Sequence, residues 1–510
     1  MLKKLALFMV FLVIVLVITA FISRRELPAN HNRTVSQWLP PNPDGVLARA
    51  ILSANAAHPG LSGVHAFADG MEAFIARLAL AETAQYSLDV QYYIWHNDTS
   101  GHLLLQALQR AAGRGVRVRL LLDDNNTQGM DGVLLALDAH ENAEVRLFNP
   151  FMQRGFRPIG YLSDFFRLNR RMHNKSFTAD GLVSIVGGRN VGDEYFGAGD
   201  GVMFADLDVS VTGSVVPAIE DDFDRYWASE SSYPITTILP DGLPTPFADT
   251  PRDDAQTREY LGKLAASDYV ERLRDGGLRP VWAPATLFSD DPAKGLGKAR
   301  YQDTVVAKLA PFFASAKSDI IIVSPYFVPT KNGAAIFAQA AAKGIETTVL
   351  TNSLVATDVA PVHAGYAKYR KDLLKAGVKL YELKPEASFA VHEESDTGLH
   401  FAGSSGASLH AKTFAVDGEK LFVGSFNMDP RSAAINTEMG IVFEHPALAG
   451  ALKDGIGEHM ASHAYHVTLT ADGELQWRDG DETYGKEPQS SAFKRFSVWF
   501  LSWLPIEHLL

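Results

Sequence analysis

Two stretches of the 510-residue chain place a histidine, a lysine and an aspartate at one shared spacing, His173-x-Lys175-x4-Asp180 and His410-x-Lys412-x4-Asp417. The agreement runs on through Phe177 and Phe414, Gly181 and Gly418, and Val186-Gly187 and Val423-Gly424. Asn190 follows His173 by 17 residues (190 − 173), and Asn427 follows His410 by 17 (427 − 410). A single His-x-Lys-x4-Asp is a weak signal, because an isolated strand histidine is more often structural. Duplication changes the weight: packing preserves an apolar pattern, whereas these copies share His, Lys and Asn.

That set of groups suits a phosphodiester, whose negative charge repels nucleophiles. Lys175 and Lys412 supply positive charge, and Asn190 and Asn427 offer amide donors to the non-bridging oxygens. One neutral imidazole can attack phosphorus to give a phosphohistidine, while a protonated one donates to the leaving alcohol and then deprotonates the incoming one. Histidine suits both tasks because its pKa lies near neutrality, and neither step requires a metal or a cofactor. The chain has no cysteine, which removes disulfides, thiolate metal sites and thiol nucleophiles. Its net charge of −12 argues against a general grip on nucleic acid.

The elements that must position these residues form a repeat. Ser87 to Trp95 reads as a strand, Gly101 to Gly115 as a helix and Val116 to Leu122 as a strand. Asp319 to Phe327, Ala334 to Lys343 and Glu346 to Leu350 repeat that order. Each motif then reads as strand, Asp-Gly turn and strand, with His and Lys on one face of the first strand. The expected fold class is α/β: two tandem α/β/α sandwich lobes related by pseudo-twofold symmetry, behind one N-terminal transmembrane helix. The apolar run from Leu5 to Ser23 is long enough to span a bilayer and lacks a small-residue cleavage site, which predicts a retained anchor. Lysines and arginines flank it on both sides and leave its orientation open. The expected organisation is an anchor over 1–26, a linker over 27–44, a first lobe over 45–227 and a connecting segment over 228–298. A second lobe over 299–466 and a C-terminal segment over 467–510 complete it.

The motifs, with Gly187-Gly188-Arg189-Asn190 after the first and Gly424-Ser425-Phe426-Asn427 after the second, resemble the phospholipase D superfamily, in particular the C-type bacterial cardiolipin synthase branch. The resemblance covers nearly the whole chain beyond the anchor. It implies His173 as nucleophile and His410 as general acid and base, with the reverse assignment open. It also implies an acidic residue from each half orienting the histidine of the other: Glu438 for His173, and Asp206 for His410 ahead of Asp193 and Glu194. Asp180 and Asp417 belong to the motif but are expected to hold its turn. Ser425 and the two Asn-Lys sets are the expected phosphate-binding groups, and Gly188 departs from the serine its family position often carries. The implied activity is phosphatidyl transfer between two phospholipids at the cell (inner) membrane, with phosphatidylglycerol as substrate and phosphatidylethanolamine as the second candidate. Phospholipase D hydrolysis to phosphatidic acid, nuclease activity and a non-catalytic membrane scaffold are the alternatives, and a soluble protein partner is left unassigned.

Three further stretches carry expectations. Phe493 to Leu504 alternates aromatic residues with Lys494 and Arg495, which fits either an interfacial helix or one docked on the protein. His363, among Tyr366, Tyr369 and Arg370, is a candidate substrate contact. Arg117 and Arg119 read as a solvated strand face.

Overall fold

A computed structural model describes residues 26–199, 203–245, 255–267, 279–385 and 407–510, except residue 32, with scattered helical positions before residue 26. The first half contributes strands β1 (Ser62–Phe67), β2 (Ser87–Ile94), β3 (Arg117–Asn126), β4 (Ala143–Phe148), β5 (Ser176–Ala179), β6 (Val183–Gly187), β7 (Met203–Ala205), β8 (Asp208–Gly213), β9 (Ser232–Pro234) and β10 (Val281–Ala283). The second contributes β11 (Ala285–Ser289), β12 (Asp319–Val323), β13 (Glu346–Asn352), β14 (Lys379–Leu383), β15 (Ala407–Leu409), β16 (Thr413–Val416), β17 (Lys420–Gly424), β18 (Met439–Glu444) and β19 (Ala464–Leu469).

Among the described residues these strands build two large sheets with one plan. The central order is β8-β6-β5-β2-β3-β4 in the first and β18-β17-β16-β12-β13-β14 in the second. In both, the last three strands run parallel, which requires crossover connections, and helices Thr99–Gly113 and Thr330–Ala342 supply the first of these in each lobe. The outer face of each sheet is buried under its own helices. The remaining faces meet: Val186, Val209 and Val211 of the first lobe share one core with Val323, Val423 and Ile441 of the second. Each such buried side chain contributes about 1.5–3 kcal/mol, so the lobes cohere through a common apolar layer. The chain crosses between sheets at Pro284, with β10 pairing β1 in the first and β11 pairing β18 in the second. Residues 281–289, inside the expected connecting segment, thereby give an edge strand to each lobe.

The two motif hairpins show why their aspartates recur. Asp180 and Gly181 have φ of 52° and 63°, and Asp417 and Gly418 have 57° and 63°. Positive φ at both central residues is what a type I′ hairpin connection requires, and Asp with Gly tolerates it. The Asp180 carboxylate accepts the backbone N–H groups of Gln85, Tyr86 and Ser87 at 3.1, 2.8 and 3.0 Å. Asp417 accepts those of Lys317, Ser318 and Asp319 at 3.0, 2.7 and 3.1 Å. Each aspartate stitches its hairpin to the start of β2 or β12. Five extended residues at about 3.3 Å each place Lys175 and Asp180 ~16 Å apart, so the motif's aspartate is remote from its lysine.

Two expectations are corrected. The histidines and lysines do not lie within a hairpin strand: β5 starts at Ser176 and β16 at Thr413. The stretches before them are drawn to the opposite lobe, where His173 N–H donates to Thr437 O at 2.9 Å and His410 N–H to Ala205 O at 2.7 Å. β15 likewise pairs with β7 across the lobes. Arg119 is buried, not solvated, because helix Val216–Trp227 covers that face of β3. It pairs with Asp89 at 2.6 Å and Asp224 at 2.7 Å and lies over the rings of Phe223 and Trp227. Arg117, beside it, is half-buried and donates to Gln37 O at 2.7 Å. The run from Leu5 to Ser23 lies mostly outside the described residues, and among the described residues no helix is long and apolar enough to cross a membrane.

Asp180→Ala leaves three backbone donors without their acceptor, and is expected to lower the free energy of unfolding by about 1–3 kcal/mol in a urea titration. An unchanged midpoint would remove the turn-holding role.

Candidate active site

The two motif histidines are each held by a carboxylate from the other lobe. His173 Nδ1 bonds Glu438 Oε2 at 2.8 Å, and His410 Nδ1 bonds Asp206 Oδ2 at 2.5 Å. With Nδ1 committed, Nε2 is the nitrogen left for chemistry. All four side chains are buried. The acids occupy equivalent places: Gly187 pairs with Asp208 and Gly424 with Gly440, and Asp206 and Glu438 each stand two residues before those partners. The residues just ahead of them, Ala205 and Thr437, are the ones whose carbonyls bind the histidine backbones. One short segment per lobe therefore fixes both the main chain and the ring of the opposite histidine.

Lys175 Nζ donates to His173 O at 2.7 Å, and Lys412 Nζ donates to His410 O. Burial pushes Lys175 down to about 7, with the charge of Lys412 adding to the effect, and burial pushes Lys412 down to about 8 against the pull of Asp206 and Glu438. Burial, with Lys175, Lys412 and His410 nearby, holds His173 well below the usual imidazole range. Burial and Lys412 also lower His410, but there Asp206 pulls the other way. The carboxylates diverge. Burial raises Glu438 to about 7 against the pull of Lys175, whereas for Asp206 the opposing effects of His410, Lys412 and Arg189 outweigh burial and keep it below the usual range. Cationic groups this deeply buried call for an anion, and a phosphodiester supplies one.

The expected phosphate ligands divide. Ser425 Oγ donates to Glu438 Oε2 at 2.5 Å and accepts Met439 N–H at 3.0 Å, so its hydroxyl orients the acid. The departure at Gly188 has a steric reason: a Cβ there would fall 2.0 Å from Asp206 Oδ1. Aspartate's shorter arm brings its carboxylate against the backbone, where glutamate in the other lobe leaves room for serine. Asn190 is tied in by Nδ2–H donation to the Tyr195 hydroxyl at 2.9 Å and by accepting Ile94 N–H at 3.2 Å. Asn427 is buried with no hydrogen-bond partner for its Oδ1.

Several residues join the site without having been expected there. Tyr93 packs edge-on against His173 at 4.9 Å and lies 5.6 Å from Lys175 Nζ, while Tyr195 and Phe204 pack against His410 at 5.2 and 5.0 Å. Tyr93 lies near the C-terminal end of a parallel strand, where α/β sheets gather ligands, and that position was the available signal. Asp290 accepts Glu438 N–H at 2.8 Å and pairs with Lys294 at 2.8 Å, bracing the segment that carries the acid. Other expected residues are elsewhere. His363 is buried in an ionic cluster with Arg370 and Glu487, at 2.6 and 3.2 Å. Asp193 accepts Ser100 N–H at 2.7 Å, and Glu194 pairs with His96 at 3.1 Å, so neither orients His410. His96, Asp98 and Glu194 bring ligand-type atoms within 4.8 Å of one another. Asp98 already caps helix Thr99–Gly113 by accepting Gly101 N–H at 2.9 Å, and also accepts Asp193 N–H at 2.8 Å.

Comparison with known proteins follows the same duplication. A family model described as "Cardiolipin synthase, PLD-like domain" matches residues 78–227 and again 309–460. Cardiolipin synthase C of Escherichia coli K12 is 49% identical over 475 residues, covering 91% of this chain and 99% of that protein. Cardiolipin synthase A of Pseudomonas entomophila is 27% identical over 384 residues, covering 75% of this chain and 65% of that one. Among solved structures, phosphatidylserine synthase of Haemophilus influenzae superposes with a TM-score of 0.54 at 14% identity, over 88% of this chain and 95% of that one. At that identity the likeness concerns the fold.

Asp206→Asn and Glu438→Gln are expected to fold and to lower turnover of a phosphodiester substrate by about 10²–10⁴-fold, since each loses the carboxylate that orients its histidine. Gly188→Ala should act through Asp206. Its loss and that of Asp206→Asn will not add in the double variant, and full additivity in steady-state rates would refute the steric link.

Proposed function

The chain belongs to the phospholipase D-like cardiolipin synthase family, and on that premise we propose that it joins two phospholipids into cardiolipin by moving a phosphatidyl group through a phosphohistidine. The observation that carries the reading is the pair of buried imidazole–carboxylate couples, His173 with Glu438 and His410 with Asp206, formed across the lobes. His173 Nε2 attacks phosphorus and His410 gives its proton to the departing alcohol. His410 then takes the proton of the incoming lipid hydroxyl, whose oxygen displaces His173 from phosphorus. The electrostatics favour this division. Burial among lysines keeps His173 neutral, as a nucleophile must be, whereas the ionised Asp206 stabilises a proton on His410. Lys175 and Lys412 neutralise the non-bridging oxygens as charge develops.

Phosphatidylglycerol is the proposed acceptor, through its glycerol hydroxyl, with a second phosphatidylglycerol or phosphatidylethanolamine as the donor that releases glycerol or ethanolamine, and the Leu5 to Ser23 run is the proposed anchor to the membrane that holds them. Full-length protein in phosphatidylglycerol vesicles is expected to yield cardiolipin by lipid mass spectrometry, with His173→Ala and His410→Ala each abolishing it. Phosphatidic acid as the sole product would make the enzyme a hydrolase, and DNA cleavage without lipid turnover would defeat both lipid readings.

The lysines set a pH dependence. In the free enzyme Lys175 and Lys412 lose their protons near 7 and 8 instead of above 10, so kcat/KM for an anionic lipid should fall as pH rises through 7–8. A profile flat to pH 9 would contradict the phosphate-binding role of the lysines.

A further inference from the structure

Two helices carry large apolar side chains that no described residue covers. Along the C-terminal helix Ala492–Ser502 and the residue after it, Phe493, Phe496, Trp499, Phe500 and Trp503 recur every three or four residues and form one exposed stripe, with Phe493 79% and Trp503 74% accessible. Val498 faces the other way and is buried against helix Ala360–Ala367, so this helix is docked on the protein and still presents its aromatic side outward. Lys494 and Arg495 follow Phe493 in the first turn of the helix, Arg495 also donating to Ser490 O. Helix Gly160–Leu168 repeats the pattern with Leu162, Phe165 and Phe166, the last 85% accessible.

The two helices flank one place. Asn169, at the end of Gly160–Leu168, accepts a bond from Arg431 at 2.6 Å, and Arg431 in turn donates to Leu509 O at 3.1 Å just past the C-terminal helix. That place borders the active site, because Tyr161 of helix Gly160–Leu168 and Arg431 both interact electrostatically with Tyr93, which packs against His173. His173 follows Leu168 by five residues (173 − 168), and Asp358, which leads into Ala360–Ala367, bonds Tyr326 at 2.7 Å and interacts electrostatically with Lys412. The N-terminal linker emerges beside it. Asn30 donates to Ser232 O at 2.7 Å at β9. The backbone N–H of Asn149, just after β4, donates to Ser231 O at 2.8 Å, and its side chain donates to Arg167 O and Arg170 O at 3.1 and 2.7 Å. The chain that carries the apolar Leu5 to Ser23 run therefore leaves the fold one strand away from Gly160–Leu168.

We propose that this face, formed by helices Gly160–Leu168 and Ala492–Ser502, is a bilayer-docking surface that seats the active-site mouth on anionic lipid. Exposed phenylalanine and tryptophan suit the boundary between headgroups and acyl chains, and Lys494 and Arg495 suit anionic headgroups despite the chain's overall negative charge. The exit of an apolar run on the same side selects a membrane over a protein as the occupant. The proposal rests on the functional reading only for the meaning of turnover.

Full-length protein in proteoliposomes of phosphatidylglycerol with brominated acyl chains provides the test. Bromine is expected to quench tryptophan emission, and the Trp499→Phe/Trp503→Phe variant should lose at least half of that quenching. Equal quenching in both proteins would overturn the proposal, as would tryptophans unquenched by bromolipid yet shielded from aqueous iodide, the signature of a protein occupant. A second variant, Phe166→Ser/Phe496→Ser/Trp503→Ser, should lose at least tenfold in kcat/KM on bilayer substrate while staying within twofold on a monomeric short-chain phosphatidylglycerol. Equal losses on both, or none on either, would count against docking. Absence of lipid turnover in the unaltered protein would defeat the functional reading, and the quenching would still decide this one.

Discussion

A histidine ring held by a carboxylate of the opposite lobe is the constraint on which the molecule turns. Neither lobe alone can present a reactive imidazole: His173 needs Glu438, His410 needs Asp206, and both partners are buried. Removing one partner of a buried charged pair costs far more than a surface contact, so the couples demand an accurate and durable lobe interface. The shared apolar core of Val186, Val209, Val211, Val323, Val423 and Ile441 provides that cohesion. The short cross-lobe pairings, β7 with β15 and Met172 with Thr437, then set the register to which the rings are bound.

The pseudo-twofold plan stops short of true symmetry where chemistry needs a difference. Glu438 is braced by Ser425 and is pushed up by burial, while Asp206 lies against Gly188 and stays ionised beside His410, Lys412 and Arg189. One couple is thereby suited to a neutral ring and the other to a protonated one. The buried lysines disfavour the empty site, because their charge is poorly solvated until an anion arrives. Substrate charge and site charge are complementary by the same arrangement that makes the unliganded centre unfavourable.

Position on the molecule follows from the same layout. Helix Gly160–Leu168, which ends five residues before His173, and the C-terminal helix carry exposed aromatic residues. His363 contributes here indirectly. With Arg370 it holds Glu487, which lies just ahead of the C-terminal helix, and so helps set where that helix is presented.

The duplication, the α/β class, the strand–helix–strand order and the His, Lys and Asn positions are legible in the sequence, because each is a local pattern repeated at a fixed offset. The resemblance also pointed to Glu438 and to Asp206 ahead of Asp193 and Glu194, although spacing could not: the acids follow their motif histidines by 28 residues (438 − 410) and 33 (206 − 173), a mismatch that no shared offset resolves. Only the sheet register, which aligns Asp208 with Gly440, selects Asp206. Tertiary structure alone decided that Ser425 serves the carboxylate, that Gly188 makes room for Asp206, that Arg119 is buried between Asp89 and Asp224, and that Tyr93 reaches His173. The physical reason is common to all four. Residue type and spacing determine what a side chain can do and which face it lies on, but its partner comes from a segment brought near by packing, over distances in sequence that no periodicity records.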